Sequence, residues 1–209
     1  MKLYDARRAP NPRRVRWFMA EKGIPEGPSG IEVIDVDLFG GEHKTAEYLA
    51  RAGIANVPAL TLDDGTTLTE SLAICRYLES LYPEPNLFGQ GAKEVAVIEM
   101  WTRRAEILAA LPLMLAVRHG HPALAALENQ DPAVGQRNRA DAERALALFD
   151  WRLGESEWLA ANRVTIADGV LFIGLDFARM VRFQVPEALT NLARWAAAMR
   201  ARASAAAGT

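Results

Sequence analysis

The stretch from Asn56 to Ser71 constrains the chain more than any other. Val57-Pro58 opens an apolar run, Ala59 to Leu62. Proline has no N–H for a sheet ladder and belongs at the start or edge of a strand. Asp63-Asp64-Gly65 then spells a turn, with Gly65 free to take positive φ, and Thr66 to Leu68 returns as a second strand. At Glu70-Ser71 the apolar spacing turns helical, with Leu72, Ile74, Cys75 and Leu78 near one face. Glu70 and Ser71 therefore fall at a helix N-terminus with unpaired backbone N–H groups, and this arrangement can receive a small carboxylate. A serine before an apolar run equally suits a plain helix cap.

The rest of the chain organises around this hairpin. Lys2 to Ala6 reads as a strand and Arg13 to Lys22 as a helix stopped by Gly23. Ile31 to Leu38 alternates as a second strand, and Thr45 to Ala52 is a short helix. With the hairpin and its helix, residues 1–81 read βαβαββα. Tyr82-Pro83-Glu84-Pro85-Asn86 cannot continue a helix and opens a linker over 82–92.

Residues 93–209 read as helix throughout, so the fold class is an α+β domain followed by an all-α one. Lys93 to Arg118 is expected to kink at Pro112, where the i to i−4 ladder loses a donor. Asp131-Pro132 caps and opens a helix that runs to Gly154. Thr165-Ile-Ala-Asp168 has the spacing of a capping box. A last helix is expected from Pro186 to Ala203, followed by an Ala-rich tail that frays.

Composition removes several function classes. With charged residues at 24% and a net charge of −2, nothing draws the chain to nucleic acid or an anionic membrane. Arg or Glu interrupts every apolar run before the roughly 20 residues a membrane span needs. Cys75 is the only cysteine, so there is no internal disulfide and no Cys-x-x-Cys redox pair, which suits a cytoplasmic location. His119 and His121 have no nearby Cys or paired carboxylates and make no metal site; they are expected at a surface or interface.

Val57-Pro58-Ala59-Leu60 followed by Glu70-Ser71 and a helix resembles the glutathione site of the glutathione transferases, and βαβαββα resembles their thioredoxin-like first domain. Trp158-Leu159-Ala160 with Arg163-Val-Thr-Ile-Ala-Asp168, and Leu192-Ala-Arg-Trp195, are similar to features of the family's helical second domain. The resemblance implies that Pro58 is cis and that the Val57 backbone pairs with glutathione as an added strand. It implies that Glu70 and Ser71 hold the γ-glutamyl end, and that His43 and Lys44 of Gly41-Glu42-His43-Lys44 meet the glycyl carboxylate. Asn56 stands where relatives carry an amide. Trp101, Arg104 and Leu108 are expected to line an electrophile pocket, and the family habit implies a homodimer.

The thiol-activating group is less plain. Relatives place Ser, Cys or Tyr just before the first helix; here Ala9 takes the serine position and Pro10-Asn11-Pro12 follows. Asn11 can donate a hydrogen bond and, with Pro12 after it, is expected at the N-cap beside the positive helix end. Pro-Asn-Pro is equally ordinary helix-starting chemistry, and both readings stand. Tyr4 is the other candidate, with burial the stronger expectation. The chain is thus read as a transferase that activates the glutathione thiolate towards a small hydrophobic electrophile, or as a glutathione-binding relative without turnover. A disulfide oxidoreductase lacks the cysteine it would need.

Overall fold

The computed structural model describes residues 1–209. They form two compact units, residues 1–85 together with 206–209, and residues 86–205. The first unit is β1 (Lys2–Asp5), α1 (Pro10–Lys22), β2 (Glu32–Asp35), a 3-10 turn (Glu42–Lys44), α2 (Ala46–Ala52), β3 (Ala59–Thr61), β4 (Thr67–Thr69) and α3 (Ser71–Leu81). Its sheet has the order β2-β1-β3-β4, with β1 parallel to β2 and antiparallel to β3.

The two-residue alternation of a strand sorts the core. Tyr4 and Ala59 are register partners and meet Tyr48 of α2 on one face. Leu3 and Leu60, also partners, point to the other, where α1 and α3 pack together. Val15, Phe18, Ile74, Cys75 and Leu78 are fully buried. At the far ends of α1 and α3, Lys22 and Glu79 form a buried ion pair, and Lys22 Nζ donates to Tyr82 O at 2.7 Å. Helix spacing and this pair together fix how the start of α1 lies against the start of α3.

The second unit is helical: α4 (Gly91–Arg104), a π-helical stretch (Ala105–Ala110), α5 (Leu111–Gly120), α6 (Pro132–Glu155), α7 (Ile166–Phe177) and α8 (Thr190–Arg200). The kink expected at Pro112 takes the form of the π stretch before it. Leu111 N–H bonds Glu106 O, five residues back. Widening the helix there moves a carbonyl that the Pro112 ring would otherwise strike. α7 is buried from Ile166 to Leu175, a helix apolar on every side. Its Gly174 lets it approach the π stretch, since a Cβ there would lie 2.8 Å from Ala110 Cα.

Asp168 anchors this unit from the N-terminus of α7. It accepts from Thr165 N–H (2.9 Å), Thr165 Oγ1 (2.9 Å), Leu159 N–H (3.0 Å) and Trp195 Nε1 (2.9 Å). α6 begins with Asp131 capping Ala133 N–H at 2.8 Å and Pro132 at its first position. Two expectations are corrected. α8 starts at Thr190 rather than Pro186, because Pro186 to Leu189 closes a turn instead. The tail does not fray: Ala203–Ala206 is a 3-10 turn and residues 206–209 belong to the first unit. No helix is long and apolar enough to cross a membrane.

Candidate functional site

Sheet topology gathers the sequence candidates of the first unit at one end. Parallel β1 and β2 both finish there, antiparallel β3 begins there, and β4 ends there. Ala59 pairs with Tyr4 on one side and Thr69 on the other, so Pro58 lies one step outward, beside Asp5 and Glu70. The turn after β1, the segment after β2 with His43, Val57-Pro58, and the start of α3 therefore share one sheet end.

The Val57-Pro58 peptide is cis. Pro58 is buried, Val57 half-buried, and Asn56 exposed. Val57 packs its side chain against the Tyr4–Tyr48–Ala59 cluster. Its N–H and C=O take part in no backbone hydrogen bond of the sheet or its loops. Tyr48 Oη donates to Asn56 O at 2.7 Å and pins the approach to this exposed edge. Burial pushes the Tyr48 hydroxyl up to about 12, so it remains a donor at neutral pH. The arrangement suits addition of one extended peptide strand.

Glu70 is the N-cap of α3, at φ 63° and ψ 112°, with an exposed side chain. Positive φ in a non-glycine residue is unfavourable and accumulates where a site needs it. It turns the chain from β4 into α3 within one residue, so the first-turn N–H groups of Ser71, Leu72 and Ala73 face this end. The first turn of α3 itself carries no acidic residue, and Glu70 at the N-cap makes no side-chain cap hydrogen bond. Ser71, 4% exposed, accepts from Arg14 Nη1 at 2.7 Å. Sequence reasoning missed Arg14. Its one signal was an arginine flanked by core positions of α1, and Arg14 is itself only 5% exposed.

His43 and Lys44 lie on the 3-10 turn after β2. Gly40 N–H bonds Asp37 Oδ1 at 2.8 Å and Asp37 N–H bonds Glu42 Oε2 at 2.8 Å, so this segment is built rather than loose. Lys44 is exposed, while His43 is buried with Nδ1 engaged by no hydrogen bond. Burial, and then the neighbouring Lys44 charge, hold the imidazole below its usual value. A neutral ring can still donate one N–H to a carboxylate beside the Lys44 ammonium.

The start of α1 differs from expectation. The helix begins at Pro10, with Ala9 as N-cap and no side-chain cap, so Asn11 is the second helical residue rather than the N-cap. Either proline is compatible with a first turn, because the N–H it lacks has no helical partner there. Pro10 and Pro12 carry no N–H, and Arg13 N–H is already bonded to Ala9 O at 3.0 Å. The first turn therefore offers one backbone donor, Asn11 N–H, beside the half-buried Asn11 side chain. Tyr4 is 9% exposed, edge-on to Tyr48 with centroids 6.2 Å apart and with the Arg51 guanidinium 4.6 Å over its ring. It is a core residue.

In the second unit, Trp101 is 4% exposed and packs 6.2 Å from Phe149. The guanidinium groups of Arg104 and Arg152 stand 4.7 and 5.7 Å from its ring. Arg104 is half-buried and Leu108 is 39% exposed on the π stretch. Only these two of the three proposed pocket residues present appreciable surface. His119 and His121 act as local caps, accepting from Asp131 N–H (3.1 Å) and Ala123 N–H (3.2 Å).

Known proteins match this architecture across both units. Residues 3–86 match the model described as glutathione S-transferase, N-terminal domain, and residues 107–203 match glutathione S-transferase, C-terminal domain. Glutathione S-transferase 2 of Saccharomyces cerevisiae is 35% identical over 98% of this chain and 87% of its own. The chain belongs to the glutathione S-transferase family. Among solved structures, a glutathione S-transferase domain-containing protein of Marinobacter aquaeolei is 36% identical, with TM-score 0.89 over 98% of this chain and 100% of that one. Gtt2 from Saccharomyces cerevisiae has the same identity and TM-score, over 98% of both chains. The transferase architecture, a thioredoxin-like unit with a four-stranded mixed sheet and a helical unit, is thus that of a Gtt2-like member.

Proposed function

We propose that the chain is an active glutathione transferase that binds glutathione at the common sheet end and activates its thiol for attack on a small hydrophobic electrophile. The observation that carries this reading is the unpaired Val57 backbone beside the start of α3, where Ser71 and three N–H groups can take a carboxylate. Glu70 accepts from the ligand ammonium, and His43 and Lys44 meet the carboxylate at its other end. Asn56 shapes the backbone edge through its carbonyl. A thiol with pKa about 8.5 must be stabilised as thiolate, and Asn11 supplies one N–H and one amide at the positive end of α1. Arg104 and Leu108 meet the electrophile, with Trp101 as their support. The working form is a homodimer, checked by light scattering at micromolar concentration.

The second reading, a glutathione binder without turnover, is favoured by Ala9, which puts no hydroxyl or thiol at the N-cap of α1. One pair of assays separates the two: retention on immobilised glutathione and conjugation of an aromatic halide, extended to epoxides and peroxides. Retention with turnover supports the enzyme. Retention without turnover across all three electrophile classes supports the binder. Within the enzyme, Asn11→Ala should lower turnover only in part, by about 1.5 to 3 kcal/mol of transition-state stabilisation at most, because the backbone donor survives. Tyr4→Phe should leave it nearly unchanged; loss of thiolate in Tyr4→Phe alone would transfer the role to Tyr4.

A further inference from the structure

The turn that leads into α1 is held by residues almost two hundred positions away. Ala9 N–H closes it on Ala6 O at 3.0 Å, and Arg8, third in the turn, has φ 65°. That backbone region favours glycine or asparagine. The Arg8 side chain is exposed, but its N–H donates to Gly208 O at 3.0 Å. Arg13 Nε reaches Ala207 O at a longer 3.4 Å. Gly208 has φ 71°, and a Cβ on it would stand 3.1 Å from Arg16 Cβ and 3.2 Å from Arg13 Cγ. Residues 206–209 therefore lie close against the first turns of α1, where a side chain at position 208 would be both tight and strained in φ.

Pro10-Asn11-Pro12 allows two helix starts, one with Pro10 and one with Pro12 at the first position. In the first, Asn11 N–H is the free donor of the helix end; in the second, Asn11 becomes a cap outside the helix. In this structure the first start occurs with Arg8 at its unfavourable φ.

We infer that residues Ala206–Thr209 are a positioning strap which selects the Pro10 start, and so places the Asn11 N–H for thiolate stabilisation. This rests on the Asn11 role proposed above. When the strap is lifted, Arg8 relaxes to negative φ, the helix start slips to Pro12, and the free donors become the Arg13 and Arg14 N–H groups, displaced round the first turn from the position the Asn11 N–H holds. The γ-glutamyl contacts at α3 are untouched, so glutathione still binds but is held more often as thiol.

The test uses Gly208→Val and a chain cut after Ala205, with ultraviolet absorbance of the bound glutathione thiolate followed against pH and glutathione affinity measured by calorimetry. The titration midpoint should rise by about 0.5 to 1 unit in both variants, leaving roughly three- to tenfold less thiolate well below the midpoint. Affinity should change by less than about twofold. Adding Arg8→Gly to Gly208→Val should restore the midpoint, because glycine takes positive φ without cost. A lowered melting temperature with an unmoved midpoint would overturn the proposal, leaving the tail a stabilising contact alone. Asn11→Ala in the same titration separates the two levels. If it moves the midpoint and the strap variants do not, only the strap fails; if it too leaves the midpoint in place, or the intact chain binds no glutathione, the thiol-site reading falls and the strap with it.

Discussion

Ser71→Ala tests the γ-glutamyl end of the site and the internal contact that supports it. Ser71 Oγ accepts from Arg14 Nη1 at 2.7 Å, with both residues at least nine-tenths buried. Removing the hydroxyl takes an acceptor from a buried guanidinium, and a hydrogen bond to a charged group contributes about 1.5 to 3 kcal/mol. In a protein of this size each kcal/mol moves the melting temperature by about 2 to 4 °C, so Ser71→Ala should melt about 3 to 12 °C lower. Glutathione loses a hydroxyl donor but keeps the α3 backbone N–H groups, so affinity should fall about tenfold rather than vanish. Calorimetric melting and glutathione titration of Ser71→Ala, Arg14→Met and the double variant give the coupling directly. It should be at least about 1 kcal/mol, since the double variant leaves no guanidinium to satisfy. Single variants that melt like the parent, with losses that simply add in the double, would refute the assignment of Arg14 as the support of Ser71.

Three further outcomes follow from contacts elsewhere. Tyr48→Phe removes the hydroxyl that holds Asn56 O and should cost about 0.5 to 1.5 kcal/mol. Because the folded tyrosine titrates at about 12 against 10.0 unfolded, its contribution is intact below about 10 and erodes as pH rises towards 12; denaturant melts of the parent should weaken across that window more than those of Tyr48→Phe. His43 has the opposite sign: its value is lowered from 6.5, so its contribution is intact above that pH and lost as pH falls through the folded value. His43→Gln should flatten that acid limb of the stability profile, and an unchanged slope would count against His43 as its source. Gly174→Ala places a methyl 2.8 Å from Ala110 Cα and should cost about 1 to 3 kcal/mol in a denaturant titration; no loss would mean that α7 and the π stretch separate freely.

Local chemistry was legible where a residue's role is settled by its close neighbours. The Asp63-Asp64-Gly65 turn, the Asp131-Pro132 helix start and the Thr165–Asp168 box all appear in the structure. Where two local solutions are equally allowed, sequence rules could not choose. Pro10 and Pro12 both satisfy the first turn of α1, and Pro186 is as good a turn residue as a helix starter. Contacts between distant residues left almost no local trace. Arg14 meets Ser71 across 57 positions, and Arg8 meets Gly208 from the far end of the chain. Trp101 shows the same limit from another side: helical spacing marked an inward face, but burial among Phe149, Arg104 and Arg152 comes only with the packed unit.

The paired prolines at the start of α1 also sort anions by shape. Carboxylates and phosphates spread their charge over two or more oxygens and are held best by several converging N–H groups. A thiolate concentrates its charge on one atom and can be met by one donor. α3 opens with three unbonded N–H groups and α1 with a single one, and both helices start at the same end of the sheet. On the reading proposed above, the bound peptide sets its γ-glutamyl carboxylate at α3 and the sulfur of its middle residue at α1. The subtraction of two N–H groups by proline thus keeps the α1 end for the sulfur and leaves carboxylates to α3.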